Sequence, residues 1–275
     1  MKKRTLKIGA LVLAIVLIAG VCVFANSLVG NPISKALARN TAEKYMEETY
    51  GDTDYELESV TFSFKDGYYH ALVSSPSSID TSFTLLINGF GKLKHDCYED
   101  YVTNGWNTAH RIETDYRNAV DTVFESRAFP YNAYIGYGEL IFASVNQDVP
   151  NLPDYAIITE ELTLDAYYNV SELGAKAGKL TVYIYDNTVS VERLAEILLG
   201  IRECFDSAGL GFYTIDCVLE YPRDENGFYE DGRVEVMDFL YSDIYEDGLV
   251  ERVRVSNEAA IAYYRTQDAE KFVEQ

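Results

Sequence analysis

The densest group of side chains capable of metal chemistry lies within one short segment, residues 95–100. Imidazole, thiolate and carboxylate occur together there, and these softer donors select zinc over calcium. The candidate ligands are His95, Cys97 and Asp100, with His110 as a fourth ligand if the chain folds back. The spacing is tighter than in regular zinc sites, so a polar connection between a strand and a helix is the alternative interpretation. The sequence therefore supplies candidate metal ligands and assigns no cofactor.

Motifs of known catalytic machinery are missing from the sequence. It contains no nucleophile elbow, no Ser-x-x-Lys, no His-Glu-x-x-His and no phosphate-binding loop. All three histidines lie in the first half, so a general base in the second half would have to be a carboxylate or a tyrosine. The acidic segment 222–232 has oxygen ligands for calcium but not in EF-hand order, and a solvated loop is the alternative. We therefore predict no catalytic residues and a chain that is not an enzyme.

The four cysteines are too few and too scattered for a disulfide framework or a Cys-x-x-Cys zinc site. Cys204 falls on the apolar stripe of a predicted helix, and Cys217 on the apolar side of a predicted strand. Both are expected to be core thiols, and a disulfide between them stays open, since it requires Cα atoms within ~4.4–6.8 Å. Cys97 belongs to no apolar pattern. We therefore expect an exposed and slowly reactive thiol there.

The charge of the chain restricts its class of partner. The net charge is −21, from 44 acidic and 23 basic residues. Such a charge repels nucleic acid and anionic lipid head groups but attracts cationic peptides, divalent ions and basic proteins. The 23 tyrosines could carry peptide contacts, although half-buried strand positions also favour aromatic residues. We predict a protein or peptide partner in the cell envelope and no nucleic-acid partner.

The first thirty residues have the pattern of a membrane anchor. Four basic residues and no acidic residue precede residues 8–25, which are uncharged and apolar. This length lies within the ~17–25 residues that cross a hydrocarbon core, and the basic flank keeps the N-terminus in the cytoplasm. We predict a single-pass signal-anchor in the cell membrane, with the C-terminal body extracytoplasmic. Val23 and Ala25 also satisfy the small-residue rule for signal-peptide cleavage, so removal of this segment is the alternative.

Beyond the anchor, apolar periodicity predicts two α+β domains. Helices are expected at 33–50, 109–124, 190–206 and 257–272, and strands at 55–64 with a bulge near Ser59, 68–74, 81–87, 136–145, 156–167, 179–185, 212–221 and 233–241. Residues 146–154 contain two prolines and no periodicity, which indicates a linker. The predicted fold is a transmembrane helix within residues 1–30, an N-terminal domain (31–148) and a C-terminal domain (149–275). Each domain is an antiparallel sheet with helices packed on one face.

Several of these features also occur together in a known family. They are the Asn31-Pro32 helix entry, Ala42-x-x-Tyr45 with Tyr50, and the hairpin Lys65-Asp66-Gly67-Tyr68-Tyr69. Together with the basic start and the apolar segment, this arrangement resembles the YfjL-like proteins of Gram-positive bacteria. The resemblance implies a membrane-anchored chain with this domain plan, and it implies no activity.

Three functions remain open at this point. The leading hypothesis is a membrane-anchored, non-catalytic module that binds a protein or peptide outside the membrane. The second is a metal-dependent or carboxylate-based hydrolase of envelope material that uses the candidate ligands. The third is a structural subunit of a membrane complex.

Overall fold

The computed structural model describes residues 11–18, 20, 21, 24, 28–145, 152–223 and 232–273, with only the backbone described from 267 onward. The chain divides into two compact units, Met1–Thr108 with Thr163–Asp165, and Ala109–Leu162 with Ala166–Gln275. This division falls earlier than the boundary predicted at residue 148. The reason is that the strand at Asn132–Leu140 pairs with the sheet of the second unit. Most of the predicted linker, residues 146–151, lies outside the described residues.

The first unit is built around helix α1, Pro32–Tyr50, which begins where the sequence predicts. Asn31 caps it, because its Oδ1 accepts the backbone N–H of Ser34 at 2.8 Å. Proline at the first helical position needs no hydrogen-bond partner, so it fits the helix start. Residues spaced by four along one side of α1 are buried: Ala38, Ala42 and Met46.

The first sheet is antiparallel in the order β1-β2-β3-β4. Its strands are β1 Glu56–Phe62, β2 Tyr69–Ser74, β3 Ser82–Ile87 and β4 Leu93–Asp96. The bulge predicted near Ser59 is confirmed, since the register shifts between Leu57 and Ser59. The buried face of the sheet packs with α1 into one core, which includes Val60, Tyr69, Ala71, Val73, Phe83, Leu85 and Ile87. Strand β4 was not predicted.

Two helical elements follow β4. A π-helix spans Glu99–Thr103, and helix α2 spans Trp106–Phe124. A π-helix closes hydrogen bonds over five residues rather than four and is uncommon. Apolar periodicity does not distinguish it from a polar loop, so the sequence predicted only α2.

The second unit contains a mixed sheet in the order β10-β9-β8-β5. Its strands are β5 Asn132–Leu140, β8 Gly178–Tyr185, β9 Thr214–Glu220 and β10 Arg233–Leu240. The pairs at both edges are antiparallel, as predicted, but β8 and β9 are parallel. Helix α4, Val191–Ala208, connects these two strands. A helical crossover returns the chain to the same end of the sheet, which makes the joined strands parallel.

One face of this sheet forms the larger core, against α2, α4 and the start of helix α5, Leu249–Val273. The close approach of α2 depends on glycine in β5, because a methyl group at Gly138 would lie 3.1 Å from the Tyr116 ring. The buried side chains of α4 follow the predicted stripe: Leu194, Ile197, Leu198, Ile201 and Phe205.

The short elements of the second unit differ most from expectation. The strand predicted over 156–167 is only Ile157–Ile158 (β7), which pairs in parallel with β6, Phe142–Ala143. Short 3-10 helices lie at Thr159–Glu161 and Tyr241–Asp243. Helix α3, Val170–Ala177, was missed, although Asn169 caps it by accepting the backbone N–H of Ser171 and Glu172. Helix α5 begins at Leu249 rather than near residue 257.

The prediction of a membrane anchor is wrong. Among the residues that the structure describes, no helix has both the length and the apolar character needed to cross a bilayer. Within residues 8–25, the longest described stretch is the helical segment 11–18, and residues 8–10, 19, 22, 23 and 25 lie outside the description. Spanning takes ~20 residues. The single-pass topology, the signal-anchor and the cell-membrane localisation with an extracytoplasmic body depended on that helix and are withdrawn with it.

Candidate functional site

The structure brings together three of the four predicted metal ligands in the first unit. One ligand atom from each of His95, Cys97 and Asp100 lies within 4.8 Å of the others. His95 Nε2 is 2.6 Å from Asp100 Oδ2, and both side chains are about half exposed. His110 is not a member of this group. We refer to His95, Cys97 and Asp100 as the ligand cluster.

The path of the chain explains why these residues meet. Alternate residues of a strand face the same side, so His95 and Cys97 share one side of β4. The backbone N–H of Cys97 donates to Thr84 O at 3.1 Å, which extends the β3–β4 pairing by one residue. The chain then turns helical, with Tyr98 in the right-handed helical region. A residue three positions further on lies on the same side of a helix, and this places Asp100 beside Cys97.

Cys97 is more buried than the sequence suggested, with 6% of its surface exposed. The expectation of an exposed thiol is therefore wrong. The apolar pattern did not reveal the burial, because Cys97 lies between the end of β4 and the start of the π-helix and belongs to no regular apolar stripe. Burial raises the pKa of the Cys97 thiol to about 11, and the charges of Asp100 and Asp96 act in the same direction.

Asp96 holds the turn between the two parts of the ligand cluster. Its side chain lies on the opposite side of β4, where Oδ2 accepts hydrogen bonds from the Tyr45 and Tyr50 hydroxyls at 2.9 and 2.6 Å. Its Oδ1 accepts the backbone N–H of Tyr98 at 3.0 Å. This aspartate turn ends the strand and starts the helical residues that carry Asp100.

A second histidine–carboxylate pair in the first unit provides an internal comparison. His70 Nε2 lies 2.7 Å from Asp66 Oδ2, which is nearly the geometry of His95 and Asp100. In the part of the chain that the structure describes, no cysteine comes close enough to this pair to share a metal ion with it. The candidate calcium loop cannot be compared in the same way, because residues 224–231 lie outside the described residues.

The two remaining cysteines of the globular part are free thiols. Cys217 is fully buried in the core of the second unit, as predicted, and burial raises its pKa to about 12. Cys204 is half-buried, with Sγ 3.7 Å from Ala128 O. Burial raises the pKa of both thiols, and a neighbouring carboxylate, Glu203 for Cys204 and Asp216 for Cys217, raises it further.

The second unit carries a different kind of surface on the sheet face opposite the core. Cross-strand register places residues of one row side by side: Tyr185 pairs with Glu220, and Glu220 pairs with Arg233. The tyrosines of this face are Tyr134, Tyr137, Tyr183 and Tyr185. We call these four residues and the polar side chains between them the tyrosine face.

The tyrosines are held in a fixed arrangement. The rings of Tyr134 and Tyr185 stack with centroids 4.1 Å apart, and Tyr134 meets Tyr183 edge to face at 5.8 Å. The Tyr134 hydroxyl donates to Glu220 Oε1 at 2.7 Å. Burial and then this hydrogen bond raise the pKa of Tyr134 above its usual value. Tyr134 and Tyr137 nevertheless keep 40% and 39% of their surface exposed.

Carboxylates exceed cations on the tyrosine face. Among the residues that the structure describes, two cations lie on this face, and both are paired within it: Lys179 with Asp216 and Asp238, and Arg233 with Glu235. Glu220 is the further carboxylate that accepts from Tyr134. The Arg233 guanidinium also lies over two rings, 6.0 Å from the centroid of Tyr183 and 5.8 Å from that of Tyr264. The face is therefore aromatic and negatively charged.

A polar pocket borders one end of this face. Asn132 and Tyr185 line it together with Asp186 and Arg193, and Arg193 donates to Asp186 Oδ2 at 2.8 Å. The sequence analysis noted the number of tyrosines but did not locate this surface. The alternation of Tyr183 and Tyr185 with apolar residues in β8 was the available indication, since it separates a polar face from a core face.

Two units, each with a small sheet and helices packed against it, define a two-domain α+β protein. Sequence models of the YfjL-like N-terminal domain and the YfjL-like C-terminal domain match residues 5–99 and 115–254. The chain belongs to the YfjL-like family. No curated protein and no solved structure matches it.

Proposed function

We propose that the chain is a non-catalytic binding module that recognises a basic, extended segment of another protein through its tyrosine face. The observation that carries the proposal is the stacked pair of Tyr134 and Tyr185, partly exposed and tied to Glu220 by the Tyr134 hydroxyl. A cationic side chain can bind to the ring faces through cation–π contacts and to the carboxylate through charge-assisted hydrogen bonds, and this site offers both.

Preorganisation supports this proposal. Tyrosine provides a large contact area and loses little conformational entropy on binding, and it is enriched among the residues that dominate interface energies. Here the rings project from strands and are already fixed by stacking, so less ordering remains for a ligand to impose.

The position of Tyr134 and Tyr137 on β5 supports an extended ligand. β5 is an edge strand of nine residues, Asn132–Leu140. An edge strand offers backbone donors and acceptors to an added strand, and side chains on alternate positions then set specificity. A segment aligned along β5 would pass the exposed rings of both tyrosines.

Charge supports a basic ligand. The whole chain has a net charge of −21, and the tyrosine face itself has more carboxylates than cations. Long-range attraction then accelerates the encounter with a cationic segment and disfavours nucleic acid.

The probe for this proposal is a fluorescein-labelled peptide of alternating arginine and valine, titrated with the full-length chain and followed by anisotropy. Tyr134→Ala should weaken binding about tenfold or more, the loss expected of a hot-spot aromatic. Tyr167→Ala is the matched control, because Tyr167 is 89% exposed and belongs to no strand.

The same titration with alternating glutamate and valine should show no binding. Equal affinities for the Tyr134→Ala and Tyr167→Ala variants would mean that attraction is only the general charge of the chain, and the proposal would be rejected. The hydrolase alternative has no support from the tyrosine face. It depends wholly on the ligand cluster of the first unit.

A further inference from the structure

The ligand cluster brings a nitrogen, a sulfur and an oxygen donor together. Side chains of the series His95-x-Cys97-x-x-Asp100 converge because the first spacing lies in a strand and the second in a helical turn. Each spacing is the one that puts side chains on a common side in its own element. The segment that completes the turn is a π-helix, a rare element that occurs frequently at functional sites.

The dimensions of the cluster fit a small cation. Ligand atoms within 4.8 Å of one another need shifts of about an ångström or less to surround an ion at bond lengths of ~2.0–2.3 Å. The shortest separation, 2.6 Å between His95 Nε2 and Asp100 Oδ2, is a hydrogen bond that a metal ion would replace. A small increase in the distance between these two side chains would therefore make room for the ion.

The three side chains of the ligand cluster differ in their exposure to solvent. Cys97 is buried on one side, whereas the side chains of His95 and Asp100 are each 55% exposed. The buried thiol can anchor an ion, and the exposed pair leaves an entry path from solvent. Asp96 lies between the ligands in the chain and fixes the backbone there, because it accepts hydrogen bonds from two tyrosine hydroxyls and from the Tyr98 backbone N–H.

We propose that His95, Cys97 and Asp100 form a zinc-binding site in the first unit of this chain. Nitrogen, sulfur and oxygen donors are the ligand set that zinc accepts, and thiolate disfavours magnesium and calcium. Three protein ligands leave the fourth tetrahedral position to water or to a ligand brought by a partner. This site is independent of the tyrosine face, which lies in the other unit.

The test is a titration of the chelator-treated, full-length chain with zinc by calorimetry and with cobalt by absorption. Cobalt reports a thiolate ligand through a charge-transfer band and tetrahedral geometry through its visible bands. We expect one equivalent of zinc, and a loss of affinity of at least ~10-fold in His95→Gln, Cys97→Ser and Asp100→Asn, since even outer residues cost that much. Asp96→Asn should weaken binding by a smaller factor.

His70→Gln is the matched control, because His70 forms the equivalent pair with Asp66 without a cysteine. His110→Gln is the second control, since His110 was a predicted ligand and is outside the cluster. Both should bind zinc as the unchanged chain does. Should Cys97→Ser unfold, His95→Gln gives the same information from a half-exposed position. Zinc binding that survives in His95→Gln, or that falls equally in His70→Gln, overturns the proposal.

Discussion

Lys179 and Asp238 form an ion pair across the second sheet, with Nζ 2.6 Å from Oδ1, at the point where β10 bulges. Asp238 has φ of 47°, in the left-handed region that few side chains adopt, although aspartate tolerates it better than most. Its backbone N–H donates to Asp216 Oδ1 at 2.7 Å, and Lys179 Nζ is 2.9 Å from Asp216 Oδ2. Lys179 therefore holds the bulge against β9.

Replacing Lys179 with methionine should destabilise the chain. Burial alone would lower the pKa of Lys179, but hydrogen bonds to Asp238 and Asp216 raise it above its usual value. The lysine and Asp216 side chains are only 18% and 20% exposed. We expect the free energy of unfolding to fall by about 2 kcal/mol. This value lies between the ~0–1 kcal/mol that exposed ion pairs contribute and the ~3–5 kcal/mol lost when a buried pair is broken. Urea unfolding measures it.

Arg254→Met is the matched control for that experiment. Arg254 also bridges two carboxylates, those of Glu192 and Glu251 at 3.3 Å, but its side chain is 43% exposed. Replacing Arg254 should lower the free energy of unfolding by no more than ~0.5 kcal/mol. Equal losses for the two variants would show that Lys179 does not hold the bulge.

Tyr50→Phe should change how stability depends on alkaline pH. Burial, followed by the hydrogen bond to Asp96, raises the pKa of Tyr50 above its usual 10.0. The folded state then keeps a proton that the unfolded state releases. This contribution to stability is fully present below pH 10 and is lost as pH rises from there toward the folded pKa. The variant has no such proton to keep, so its stability should fall less steeply above pH 10.

At neutral pH the free energy of unfolding of Tyr50→Phe should be lower by about 1.5 kcal/mol or slightly more. The reason is that the Tyr50 hydroxyl donates a hydrogen bond to the charged Asp96 carboxylate. The measurement is urea unfolding at a series of pH values, with Tyr101→Phe, at an exposed tyrosine, as the control. Parallel pH profiles for the unchanged chain and Tyr50→Phe would contradict the assignment.

Gly200→Ala should destabilise the chain, although alanine in a helix is normally better than glycine by ~1 kcal/mol. A methyl group at Gly200 would collide with the Tyr131 hydroxyl and lie 2.9 Å from Cζ of the same ring. Moving a packed ring costs ~1–3 kcal/mol. In a Tyr131→Ala background, the same change should stabilise the chain by the ordinary helical preference. Additive effects in this double-mutant cycle would disprove the contact.

Local sequence patterns were reliable where one physical cause dominates. The Asn31 cap and the buried spacing of α1 are short-range features, so the helix was predicted to within a residue of its start. The bulge at Ser59 followed from a change in which alternate positions are apolar. The buried side of α4 was also predicted correctly from its apolar stripe, because a single face of that helix packs against the core.

Patterns failed where tertiary contacts decide. Strand β4 has four residues, too few for alternation to be recognised, and it exists because β3 supplies its hydrogen bonds. The ligand cluster needs β4 followed directly by a π-helix, so the proximity of Asp100 to His95 could not be inferred from spacing alone. The partners of Tyr134 come from β8 and β9, more than forty residues away in the chain.

Thr214→Val should leave stability unchanged or raise it by about 1 kcal/mol, which is unusual for a fully buried site. Thr214 is 1% exposed, and its hydroxyl has no hydrogen-bond partner among the described residues. A buried hydroxyl without a partner keeps the cost of leaving water and gains nothing in return, whereas valine has nearly the same shape.

Thr108→Val is the counterpart, because Thr108 is equally buried but its hydroxyl donates to Asp80 Oδ2 at 2.9 Å. That variant should lose about 2 kcal/mol of stability, since a buried carboxylate then loses one of its hydrogen-bond donors. Thermal unfolding of the two variants should thus give shifts of opposite sign or of clearly different size. A comparable loss in both would mean that the Thr214 hydroxyl has a partner, such as a bound water, that stabilises it.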